Sequence, residues 1–82
     1  MGGNYMVHVK LISNDNDSCR YMYQPEKEGA PGILKYDIKR NIPEIEKLAE
    51  NDMESTFYRS KVFKMIRESI NELPQERLLM WY

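Results

Sequence analysis

Three stretches within the first 39 residues alternate apolar and polar side chains with a period of two, and turn formers or a loop-like segment separate them. In "YMVHVKLIS" the residues Val7, Val9 and Leu11 fall on one face, with His8 and Lys10 on the other. Successive strand side chains point to opposite faces, so this pattern reads as a half-buried strand. "NDND" at 14–17 follows, built from residues that tolerate left-handed backbone and bond their own main chain. "SCRYMYQ" then alternates again, with Tyr21 and Tyr23 opposed to Arg20 and Met22. Strand, turn, strand is a hairpin. "ILKYDIK" supplies a third strand with Leu34, Tyr36 and Ile38 inward and Lys35 and Asp37 outward. Between the second and third strands, "PEKEGAPG" over 25–32 holds two prolines, two glycines and nothing apolar larger than alanine. It reads as an exposed, mobile loop.

The stretch "RNIPEIEKLAEND" supports two readings. Ile42, Ile45, Leu48 and Ala49 lie at helical spacing, and Asn41 ahead of Pro43 resembles a helix entry. Alternatively residues 39–41 turn tightly and 43–49 form a fourth strand, which gives the third strand a local partner. Proline cannot donate to a ladder, so Pro43 then puts that strand at a sheet edge. The strand is the reading adopted here.

"NDME" offers Asn51 and Glu54 at the spacing of a capping box. Beyond it Tyr58, Val62, Met65, Ile66 and Leu73 recur at helical intervals, with Phe63 and Ile70 widening the stripe. The expectation is an amphipathic helix of about 18–20 residues, stopped by Pro74. The chain closes on "ERLLMWY". As a strand, this tail points Leu78, Met80 and Tyr82 one way and Leu79 and Trp81 the other, so both faces are apolar. One helix can cover only one of them. The fold expected is therefore α+β, in the order β-β-β-(β)-α-β, with a C-terminal strand that rejoins the sheet as a single domain over 1–82.

With 82 residues, the chain has a small core and a stability of about 3–6 kcal/mol. Its net charge of −1 gives no global basic field to attract nucleic acid or acidic lipid. The single cysteine, Cys19, excludes an internal disulfide or a cysteine-rich zinc site, and fits a cytoplasmic protein. No apolar run approaches the ~20 residues that span a bilayer, and the N-terminus has no signal-peptide pattern. The Gly-Gly after Met1 lacks the Ser or Thr at position six that myristoylation requires, since Met6 stands there.

Catalytic signatures are missing: there is no phosphate loop, H-E-x-x-H, C-x-x-C or G-x-S-x-G. An enzyme is not the favoured reading, and no cofactor is implied. His8 is a lone histidine on a polar strand face, and Cys19 beside Arg20 reads as a small packed thiol. The acidic segment 44–54 carries Glu44, Glu46, Glu50, Asp52 and Glu54 against one lysine. Carboxylates in such density suit a hard cation or acid–base work, but the spacing is not that of a calcium loop. Arg59, Lys61, Lys64 and Arg67 form a short basic stripe on the helix, the element a nucleic-acid reading would use. Glu68, four residues after Lys64, and the net charge argue against that reading.

Six tyrosines and one tryptophan are the most distinctive feature of the composition. Tyr and Trp combine large contact area with a polar tip and are favoured at interfaces. Together with the two-faced tail they point to a non-enzymatic protein-interaction module that binds itself or a partner protein, with Trp81, Tyr82, Leu79 and Met22 as the contact residues.

Overall fold

The computed structural model describes residues 5–52 and 57–81. It contains a five-stranded antiparallel sheet with spatial order β4-β3-β2-β1-β5. The strands are β1 (Tyr5–Asn14), β2 (Ser18–Pro25), β3 (Gly32–Asp37), β4 (Ile42–Lys47) and β5 (Glu76–Trp81). A 3₁₀ turn over Glu50–Asp52 and the helix α1 (Phe57–Glu68) separate β4 from β5. The α+β class and the element order read from the sequence are both present.

Each turn has an identifiable local cause. The Asp15 carboxylate accepts the N–H groups of Asp17 (2.8 Å) and Ser18 (2.9 Å), which closes the β1–β2 hairpin. Those two backbone donors hold its carboxyl below the usual range. Between β3 and β4, Asp37 accepts the Arg40 N–H at 3.0 Å, and Asn41 takes the left-handed conformation with φ 60°. Asparagine tolerates that region better than most residues. The segment 42–47 is thus a strand, and it lies at the sheet edge as Pro43 requires.

The period-two faces sort as their patterns dictate. Val7, Val9, Cys19, Tyr21, Tyr23, Leu34 and Tyr36 are buried on one face of the sheet. Val62, Phe63, Met65 and Ile66 of α1 complete that core. Three of the five tyrosines among the described residues are therefore core residues. The Tyr21 hydroxyl donates to the Pro74 carbonyl at 2.6 Å, which ties the segment after α1 to the sheet. The Tyr23 hydroxyl donates to Asp52 Oδ2 at 2.8 Å and accepts the Ala49 N–H at 3.1 Å.

Two elements differ from the sequence expectation. Among the described residues the helix covers Phe57–Glu68 and ends there, short of the expected run to Pro74. After Glu68 the Ser69 N–H is shared between the carbonyls of Met65 and Ile66, the tightening that ends many helices. Ser69, Ile70 and Asn71 are weak helix formers, and Pro74 biases Leu73 away from helical backbone. Ile70 and Leu73 still reach the core from this turn. The Asn51 side chain, expected to cap the helix, instead donates to the Glu28 carbonyl at 2.7 Å. Glu54, its capping-box partner, lies outside the described residues.

The 25–32 loop is exposed over 27–30, with Pro25 and Gly32 buried at its ends. Its backbone is tied to the 3₁₀ turn, since the Glu50 N–H donates to the Ala30 carbonyl (2.9 Å) and the Ala30 N–H to Glu50 Oε1 (3.1 Å). Composition alone does not display that tether.

Candidate interaction edge

Every sheet that does not close has two edges, and an edge strand offers unpaired N–H and C=O groups to any extended chain. Here those edges are β4 and β5. They differ in chemistry.

At β4, Lys35 pairs with Glu44, Tyr36 with Pro43 and Asp37 with Ile42. The β2–β3 ladder uses the odd residues of β2, because the even residues bond β1, as the Glu26 N–H to Met6 carbonyl bond shows (2.9 Å). Hydrogen-bonded and non-bonded pairs alternate along antiparallel strands. Lys35 and Asp37 therefore bond β4, and Pro43 falls where its missing N–H would have faced outward. The strand also shifts register between Ile33 and Leu34, and it carries Glu44, Glu46 and Lys47. Proline, irregularity and charge are the three usual devices that blunt an edge. All three occur here.

At β5, Leu79 pairs with Val7 and Arg77 with Val9. The Leu11 N–H donates to the Gln75 carbonyl at 2.8 Å, which sets the phase of this ladder. Alternation then assigns the inward bonds to Arg77, Leu79 and Trp81, and it turns the N–H and C=O of Glu76, Leu78 and Met80 outward. No described strand pairs with them. The strand has no proline, and its ladder with β1 shows no register shift. Leu78 and Met80 are exposed (39% and 59%) on the face away from the helix.

The helix side of β5 is partly covered. Trp81 makes edge contacts with Phe57 and Tyr58 and stacks near Tyr5, with ring centroids 5.5–6.1 Å apart. Lys61 Nζ sits 5.3 Å from the centre of the indole. The Trp81 indole N–H is buried without an acceptor among the described residues. Alongside runs an open groove of about 260 Å³ between α1 and β5, lined by Lys61, Lys64, Met65, Arg77, Leu79 and Trp81 among others.

Of the four contact residues read from the sequence, Leu79 and Trp81 come together on the helix side of β5. Met22 lies on the opposite face, between Lys10 and Ile33 in the ladder, and Tyr82 is outside the described residues. Sequence reasoning did not single out Leu78 and Met80, the most exposed apolar residues of the tail. Their signal was the alternation within "ERLLMW": whichever of its two apolar faces lay under the helix, the other had to be open.

The basic stripe is broken up. Arg59 Nε lies 2.8 Å from the buried Asp52 Oδ2, and Lys61 is over Trp81. Lys64 and Arg67 remain exposed on the helix. The acidic segment is equally dispersed: Glu46 pairs with Arg20 at 2.8 Å, Glu50 holds the loop, and Asp52 is buried beneath Tyr23 and Arg59. Among the described residues no three His, Cys, Asp or Glu side chains are grouped to hold a metal. His8 Nε2 contacts Glu76 Oε2 at 2.6 Å and bridges β1 and β5. Burial pushes the Cys19 thiol up, away from a reactive thiolate. Among the described residues no helix is long and apolar enough to cross a membrane.

Fold and site together define a small α+β domain with one blunted and one open sheet edge. The chain matches no protein-family model, no curated protein and no solved structure.

Proposed function

We propose that this chain is a non-enzymatic protein-interaction module whose contact element is the outer edge of β5. The observation that carries the reading is the contrast between the two edges: β4 carries proline, a register shift and charge, whereas β5 has neither proline nor register shift and keeps its charges, Glu76 and Arg77, at one end. Strand addition to an open edge is a general mode of peptide recognition, in which main-chain bonds give affinity and alternate side chains give specificity. Leu78 and Met80 supply those side chains on one face, and Leu79, Trp81 and the α1 groove supply them on the other. The partner is a protein segment in extended conformation, either from another molecule or from a second copy.

The test compares wild type with Met80→Pro. The Met80 N–H points outward, so proline there copies the role of Pro43 and leaves the β1–β5 ladder intact. Each protein is measured by light scattering over a concentration series and used as bait for binding partners. The reading holds when an association of wild type, with itself or with a partner, is lost in Met80→Pro. It fails when the two proteins behave alike in both assays.

A further inference from the structure

We infer that the occupant of the β5 edge is a second copy of β5, paired antiparallel about a two-fold axis through Leu79, so that two five-stranded sheets join into one of ten strands. The inference rests on the interaction-module reading and goes further, naming the partner and its register.

The argument is the self-complementarity of the strand. A two-fold antiparallel pair needs residues with outward main-chain groups to face one another, which restricts the registers to a few. With Arg77 on the axis, like charges oppose directly, which destabilises a sheet. With Leu78 on the axis, Arg77 faces Leu79 of the second copy and Glu76 faces Met80, so both charged residues meet apolar ones. With Leu79 on the axis, Leu79 meets its own copy, Leu78 faces Met80, and Arg77 faces Trp81. Apolar then meets apolar on both faces, and a guanidinium stands beside an indole, a favourable pairing. This register also joins Leu78 and Met80 by main-chain bonds in both directions, using the outward groups that β1 leaves free. Its pairs from Arg77 to Trp81 lie within the described strand.

A symmetric interface of this kind is isologous, so a single strand supplies both sides and the assembly closes at two copies. Because β4 is blunted, the ten-stranded sheet presents Pro43 at both ends and does not grow further.

The decisive experiment is residue-resolved amide hydrogen exchange on the wild-type chain below and above the association midpoint. In the monomer the Leu78 and Met80 amides face water, whereas Arg77 and Leu79 are bonded to β1. At a total concentration ten times the dimer dissociation constant, mass action leaves about one-fifth of the chains monomeric. Exchange at Leu78 and Met80 then slows by about five-fold, with Arg77 and Leu79 little changed. Register is read from an equal mixture of Leu78→Cys and Met80→Cys chains. Both positions are exposed, and Cα atoms directly opposed in a bonded pair lie within disulfide reach, about 5.5 Å. The mixture is expected to cross-link faster than either variant alone.

A dimer with protection elsewhere overturns the inference, as does faster cross-linking of either variant alone. A chain that stays monomeric also overturns it. The interaction-module reading survives that last result when a Met80→Pro-sensitive partner is found, and falls with it when none is.

Discussion

The Tyr23 hydroxyl ties β2 to the segment from Ala49 to Asp52, which lies far along the chain, and its removal tests whether the structure depends on that junction. Tyr23→Phe keeps the ring, so packing against the core is preserved and only the oxygen is lost. Two bonds go with it: the donation to Asp52 Oδ2 at 2.8 Å and the acceptance of the Ala49 N–H at 3.1 Å. Asp52 is 1% exposed and Ala49 fully buried, so water cannot replace the missing partner without opening the fold. A hydrogen bond to a charged group contributes about 1.5–3 kcal/mol, and an orphaned buried N–H costs about 1–3 kcal/mol. The salt bridge from Arg59 at 2.8 Å still compensates Asp52, which favours the lower half of the sum. The expected loss is about 3 kcal/mol, half or more of the stability of a domain this size. Urea unfolding followed by tryptophan fluorescence reads it as a lower midpoint with an unchanged slope. A loss below about 1 kcal/mol would refute the reasoning, since it would mean that neither bond differs from its solvated counterpart.

Three further outcomes follow from other parts of the molecule. Burial raises the hydroxyls of Tyr21 and Tyr23 to about 12, against 10 in the open chain. Their stabilising effect is complete below pH 10 and disappears as pH rises toward 12, withdrawing about 2–3 kcal/mol for each tyrosine. A circular-dichroism titration should therefore show cooperative unfolding between pH 10 and 12, and a fold intact above pH 12 would contradict the burial of both rings. Gly32→Ala would bring a Cβ to 2.4 Å from the Lys47 carbonyl oxygen, the Ala49 nitrogen and Tyr23 Cε1, so backbone must shift. A thermal melt should show a loss of about 2 kcal/mol or more, and a neutral result would show that this close approach does not exist. Met80→Lys places a charge on the β5 edge at a position 59% exposed. Its stability by urea titration should stay within about 0.5 kcal/mol of wild type, while light scattering should show association lost.

The sheet was legible because its strands carry their own period. Val7, Val9, Tyr21, Tyr23, Leu34 and Tyr36 alternate with polar residues, and each is buried where the pattern puts it. The edge position of β4 was legible from one residue, Pro43, whose chemistry forbids a central strand. The helix face was equally clear, since Val62, Phe63, Met65 and Ile66 line the core. Its length was not, because a stripe of apolar residues continues through Ile70 and Leu73 whether these stand on a helix or on the turn after it. Long-range partners left no local trace. Nothing in the spacing of Tyr23, Ala49 and Asp52 announces a shared hydroxyl, and nothing near Glu50 announces that it holds Ala30. The acidic segment and the basic stripe looked like surfaces in sequence, yet Asp52 and Arg59, one from each, meet as a pair with Asp52 buried. Charge runs describe composition along the chain, whereas burial depends on which elements come together.

The same distinction explains the tail. An apolar run at the end of a chain is compatible with a central strand covered on both faces, and one helix is too little to cover two faces. The structure resolves the conflict by placing β5 at an edge, half under α1 and half open. On the proposed reading the open half is covered by a partner strand, since Leu78 and Met80 are exposed beside main-chain groups that face outward. Growth into a fibre requires two competent edges on each copy, and β4 provides none. An open edge on one side and a blunted edge on the other permit a single pairing event and stop there. On the proposed reading, the difference between Pro43 on β4 and Met80 on β5 is what decides which edge pairs.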